Sequence, residues 1–212
     1  MLSCTGAFKY SSIAGIGRNC SSRLINDDKY SKCDYEFYFT KNKQTSAVDV
    51  TFISTFNTES LETESFWTGI GLNPKTPTMA GTTAFLLTIP KWETSHRDPD
   101  LNLRRYNIAA YFPAPTPTGE NLLKSGKIEN GAVFIDFTLP LLHKNAEQCY
   151  FLVYPISGGY VFDKQIQYHR NTPLLTKSKV CFYDCSGDII KTELPESLIH
   201  VAKTNSKEDA TT

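Results

Sequence analysis

The sequence has no excess of charge of either sign, no long apolar run, and almost no methionine or tryptophan. Lys and Arg total 22 and Asp and Glu total 22 among 212 residues, so no basic surplus exists to track phosphates or an anionic membrane. Nucleic acid is therefore excluded as an expected partner. No stretch approaches the ~18 apolar residues of a membrane-spanning helix. Residues 1–18 lack the basic start and apolar block of a signal peptide. There is no C-x-x-C-H, which excludes a covalently attached c-type haem, and no repeat of fixed period that would announce a propeller or solenoid. The trio His96-Arg97-Asp98 follows the order of a kinase catalytic loop, but Asn102 falls one position early and neither a Gly-rich loop nor a D-F-G accompanies it.

What is present is strand composition. Phe, Tyr and Trp number 13, 11 and 2, and they fall in short runs with Val, Ile and Thr. Residues 33–40 (CDYEFYFT) place Tyr35, Phe37 and Phe39 on one face and Asp34, Glu36 and Tyr38 on the other, the period of a half-buried strand. Residues 47–56 alternate likewise and predict an antiparallel neighbour across a short connection. Further strands are predicted at 66–72, 84–89, 104–112, 132–139 behind the Asn130-Gly131 turn, 149–154 and 179–184. Residues 91–103 and 169–176 read as loops, and 160–168 as mixed.

Eight or so short strands with turn signals between them predict an all-β fold, a two-sheet antiparallel β-sandwich of immunoglobulin-like architecture. The expected organisation is an irregular N-terminal arm over 1–32, the sandwich over 33–184, and a partly disordered C-terminal extension over 185–212.

The six cysteines, Cys4, Cys20, Cys33, Cys149, Cys181 and Cys185, are an even number and support disulfides in an exported protein. Asn19-Cys20-Ser21 fits a glycosylation acceptor. Either the chain is intracellular, with six free thiols, or the sequence begins inside a longer precursor; an extracellular or secretory-pathway home is the expectation. Cys33 and Cys149 both open strands, which makes them a candidate pair. Cys181-x-x-x-Cys185 lacks a second pair at zinc spacing, so a disulfide or strand-end thiols fit better than a metal.

One methionine stands apart. Met79 is the only one after residue 1 and lies in polar turn sequence between two strands. It is either a flexible gap-filler at one end of a β core or a soft thioether ligand to a haem iron with a histidine opposite. His96, His143 and His200 lie in polar contexts. His169, with Tyr168 beside it, is either a surface histidine or that opposite ligand.

The order of several short motifs resembles the DOMON domain family. They are Cys33 before an aromatic strand, W-x-G-I-G at 67–71, M-A-G-T-T-A at 79–84, N-G-A-V-F-I-D-F-T-L-P at 130–140, Y-F-L-V-Y at 150–154, and H-R-N-T-P from His169 with Ser178 following. The resemblance spans roughly residues 33–184. It implies a β-sandwich and, for haem-binding members such as the cytochrome domain of cellobiose dehydrogenases, axial ligation of haem b by Met79 and His169. A slot lined by Phe66, Trp67, Phe85 and Tyr168 would hold the porphyrin. Thr82, Thr83 and Ala84 stand where many animal members carry an acidic residue, which is closer to the plant-type form.

With both axial positions filled by protein, such a haem performs outer-sphere electron transfer rather than oxygen chemistry. The implied partners are a redox protein or a small reductant such as ascorbate. The cytochrome b561 helices that often follow the domain are absent from this sequence. Two other readings stand beside this one: a sugar-binding domain using Trp67, Trp92 and tyrosines as stacking platforms, and a structural or adhesion module without a ligand.

Overall fold

Alternating apolar and polar residues at period two dictate strands that each bury one face. The computed structural model builds its described residues around such strands. It describes residues 20–24, 35–41, 47–55, 63–91, 99–110, 115–129, 131–139, 149–155, 158–169, 173–176, 178–182 and 190–191. Trp92, Cys4, Cys33, Cys185, His96, His143 and His200 lie outside them.

The first sheet contains β1 (Cys20–Leu24), β2 (Tyr35–Lys41), β3 (Val48–Thr55), β8 (Leu123–Glu129), β9 (Ala132–Leu139) and β15 (Ile190–Lys191), in the order β15-β1-β2-β3-β9-β8. The second contains β4 (Ser65–Asn73), β5 (Thr82–Ile89), β6 (Asn102–Ile108), β7 (Pro117–Thr118), β10 (Cys149–Tyr154), β11 (Gly159–Phe162), β12 (Gln165–His169), β13 (Leu174–Leu175) and β14 (Val180–Cys181). Its main path runs β12-β11-β4-β5-β6-β7, and β10 pairs with β4, β13 and β14. All pairings are antiparallel. The fold is thus the expected all-β, two-sheet sandwich.

The inner faces interdigitate as one core. Phe37, Phe39, Val50 and Phe52 of the first sheet meet Ile70, Leu72, Phe85 and Leu87 of the second. Phe85 and Phe137 bring their rings to 5.9 Å across the layer, and Phe39 and Phe182 to 4.9 Å. Ser54 Oγ and Thr68 Oγ1, 2.9 Å apart, bridge the sheets and satisfy two buried hydroxyls at once.

Several elements differ from the sequence expectation. β8 (LKSGKIE) is missing from it because a polar edge strand carries little apolar alternation. β1 lies within the stretch expected to be an irregular arm and β15 in the C-terminal extension, and together they continue the first sheet beyond β2. Residues 159–169 form a hairpin, with Asp163 (φ 46°) and Lys164 (φ 62°) as its two-residue turn. Two left-handed residues in succession give the turn whose twist matches the flanking strands.

Cysteine pairing is also corrected. Cys149 is bonded to Cys181, not to Cys33. The cause is register: β10 and β14 are antiparallel neighbours with Cys149 directly opposite Cys181. No helix among the described residues is long and apolar enough to cross a membrane.

Candidate functional site

Strands β4 and β5 of the second sheet are buried on both faces, and the outer face of that sheet carries a cavity. Along β4, Phe66, Ile70 and Leu72 point to the inter-sheet core while Trp67 and Gly71 point outward. Along β5, Phe85, Leu87 and Ile89 point inward while Ala84 and Leu86 point outward. The outward set, joined by Tyr106, Ile108 and Ile166, forms a second apolar cluster against which Met79 packs.

The cavity has a volume of about 250 Å³. Its floor is Trp67, Gly71, Ala84 and Leu86; Met79 and Thr82 stand at one side, and β12 supplies a wall that includes Ile166, Tyr168 and His169. Four of the six residues expected at a site, Met79, His169, Trp67 and Tyr168, therefore line one cavity although they come from distant parts of the chain. Phe66 and Phe85 do not. Phe85 is fully buried between the sheets, and Phe66 packs on that core with its ring 4.9 Å from Tyr160. Each is one residue out of phase with the cavity face.

The turn that carries Met79 is built by Asn73, which the sequence reading passed over. Asn73 Oδ1 accepts hydrogen bonds from the backbone N–H groups of Lys75 and Thr76 at 2.9 and 3.0 Å. Its Nδ2 donates to the carbonyls of Thr78 and Ala80 at 2.9 and 3.0 Å. Thr82 Oγ1 donates to Thr78 O at 2.8 Å, and Gly81 N donates to Ile108 O at 2.7 Å. One buried amide thus clamps both ends of the Met79 loop. The available signal was Asn directly before Pro74 at a strand end, a side chain that folds back on the following backbone.

His169 is not in a loop as expected but is the last residue of β12, in register with Gly159. Trp67 holds β12 in place, donating from Nε1 to Gln167 O at 2.8 Å. Gly158 and Gly159 permit that approach. A Cβ on Gly158 would lie 1.8 Å from Trp67 O, and one on Gly159 would lie 2.5 Å from Trp67 Nε1. Trp67 is buried and spends its polar donor internally, so it is a wall of the cavity rather than an exposed stacking platform.

A second compartment of about 270 Å³ adjoins the first and shares Pro115, Gln165 and Ile166 with it. It is lined by Tyr106, Thr116, Pro117 and Lys164 as well. Burial pushes the Tyr106 phenol above its ordinary pKa, with Arg104 pulling the other way, so at neutral pH Tyr106 is a protonated donor.

Among the described residues no three His, Cys, Asp or Glu side chains converge as a direct metal site. Met79 and His169 both line the cavity. Compared with protein-family models, curated proteins and solved structures, the chain matches none.

Proposed function

We propose that the chain is a haem b-binding electron-transfer module of DOMON type, in which Met79 and His169 would hold the iron. One observation carries the reading: a thioether and an imidazole from distant parts of the chain line the same apolar cavity. Trp67, Leu86 and Ile166 supply the apolar walls that keep water from the group. Asn73 fixes the Met79 loop, and the Gly159–His169 register fixes the histidine. Haem held by this pair would supply one-electron transfer at a raised potential. A main compartment of about 250 Å³ lies below the ~300–1,000 Å³ common for ligand pockets, so a tetrapyrrole would extend past it, to the mouth or into the adjoining compartment.

A small reductant such as ascorbate, or a redox protein, is the proposed electron donor. The Cys149–Cys181 disulfide supports a home in an oxidising compartment. The test is reconstitution: haemin titrated into the purified, disulfide-intact chain is expected to saturate at one equivalent with a six-coordinate, low-spin spectrum. A spectrum identical to haemin in buffer at every ratio would overturn the proposal.

A further inference from the structure

The lining of the two compartments has a charge bias. Among the described residues that line either one, Lys164 is the lysine or arginine present, and there is no Asp or Glu. Lys164 also sits where a lysine is conformationally costly. Its φ of 62° is the left-handed region that glycine or asparagine occupies with less strain. The two-residue turn of the β11–β12 hairpin requires that conformation, and it sets the lysine at the rim of the second compartment. Tyr106, from strand β6, lines the same compartment.

We propose that the cavity is a two-part site for a planar aromatic ligand with an anionic end, the ring system lying against Trp67 and Met79 and the anion received by Lys164 with Tyr106 beside it. The ligand crosses from one compartment to the other where they share Pro115, Gln165 and Ile166. The apolar compartment selects for the ring by burial. The polar compartment selects for a carboxylate or sulfonate by charge and by a hydrogen bond from a neutral phenol. Arg104, close enough to Tyr106 to act on its ionisation, adds positive potential from the same strand. The inference rests on the cavity being a ligand site, as in the proposed function, but not on the ligand being haem.

Two probe pairs separate those claims on the full, disulfide-intact chain. Anilinonaphthalene sulfonate and the uncharged N-phenylnaphthylamine differ in the anionic group. The sulfonate is expected to bind about fivefold more tightly, the range of a partly exposed ion pair. Lys164→Gln should abolish that preference, Lys164→Arg should keep it, and the affinity for the uncharged probe should be the same in all three proteins. Tyr106→Phe should weaken the sulfonate by less than Lys164→Gln does.

Haemin and its dimethyl ester form the second pair, with the same expected preference for the free acid. Equal affinities within both pairs, a preference that survives Lys164→Gln, or no binding of either naphthalene would overturn the inference. Haemin binding without charge selectivity defeats it and leaves the haem assignment standing. Charge-selective naphthalene binding without haemin binding does the reverse.

Discussion

The close approach of β11 and β12 to Trp67 can be tested with three glycines that separate steric from conformational cost. Gly119 has φ 80° and nothing within 4 Å of where its Cβ would lie, so Gly119→Ala carries only the left-handed penalty, about 1–2 kcal/mol. Gly159 is the converse case. Its Cβ would meet Trp67 Nε1 at 2.5 Å and Tyr168 O at 2.7 Å. Relief requires moving β12 away from the indole and breaking the Nε1 bond to Gln167 O. Overpacking costs about 1–3 kcal/mol and a buried donor left unpaired about 1–3 kcal/mol, so Gly159→Ala should cost roughly 2–6 kcal/mol. Gly158 combines both effects, with φ 57° and a contact of 1.8 Å to a backbone oxygen that cannot step aside without displacing β4. Gly158→Ala should be the worst of the three. The assay is urea unfolding with the disulfide intact, followed by tryptophan emission, since Trp67 reports on the contact itself. Against a total stability of about 5–15 kcal/mol for a folded domain, the predicted ordering is readily resolved. Gly159→Ala within about 0.5 kcal/mol of the parent protein, or a larger loss for Gly119→Ala, would refute the packing of β12 on Trp67.

Three further outcomes follow from the geometry. Phe85→Ala empties a fully buried site beside Phe137 and should cost about 3–5 kcal/mol in the same unfolding assay; a loss below about 1 kcal/mol would mean the ring is not in the inter-sheet core. Reducing Cys149–Cys181, which closes a loop with a sequence separation of 32, should lower stability by about 3–4 kcal/mol, and unchanged denaturation under reductant would count against the pairing. Burial raises the phenol pKa of Tyr106 and of Tyr150. Since the folded state holds those protons more tightly, stability should be intact at neutral pH and fall as pH rises through and above the ordinary tyrosine value of about 10. Tyr150→Phe should flatten that alkaline decline, and a decline of unchanged slope would remove Tyr150 as a contributor.

Strand identity was legible in the sequence where one face is apolar and the other polar, as in β2, β3 and β9. Face identity was not legible in β4, because nearly every residue from Trp67 to Asn73 is buried on one side of the sheet or the other. Once both faces are apolar, parity no longer tells core from cavity, and Phe66 and Phe85 were placed one residue out of phase for that reason. The hairpin over 159–169 was obscured because its turn is Asp-Lys rather than an Asn-Gly or Asp-Gly pair. Cysteine connectivity needed the β10–β14 register, which six cysteines in a row of text do not encode. Met79 stood out because its sequence neighbours are polar, although in the fold it packs on the outer-face cluster, and His169 stood out only beside it, through the family resemblance. Asn73 stayed hidden because its five hydrogen bonds act on backbone that only the folded turn brings together.

The most direct test of the account is the spectrum and reduction potential of haemin-loaded protein carrying Met79→Ala, read beside His169→Ala. A thioether is the weaker donor and favours the ferrous state, whereas the imidazole holds the iron. Met79→Ala should therefore retain haem, turn high-spin and drop in potential; His169→Ala should lose most of its haem; and Met79→His should recover the low-spin spectrum with the potential still depressed. If both alanine variants bind haem with the spectrum and potential of the parent protein, Met79 and His169 are not its ligands, and Met79 is packing at the edge of the outer-face cluster.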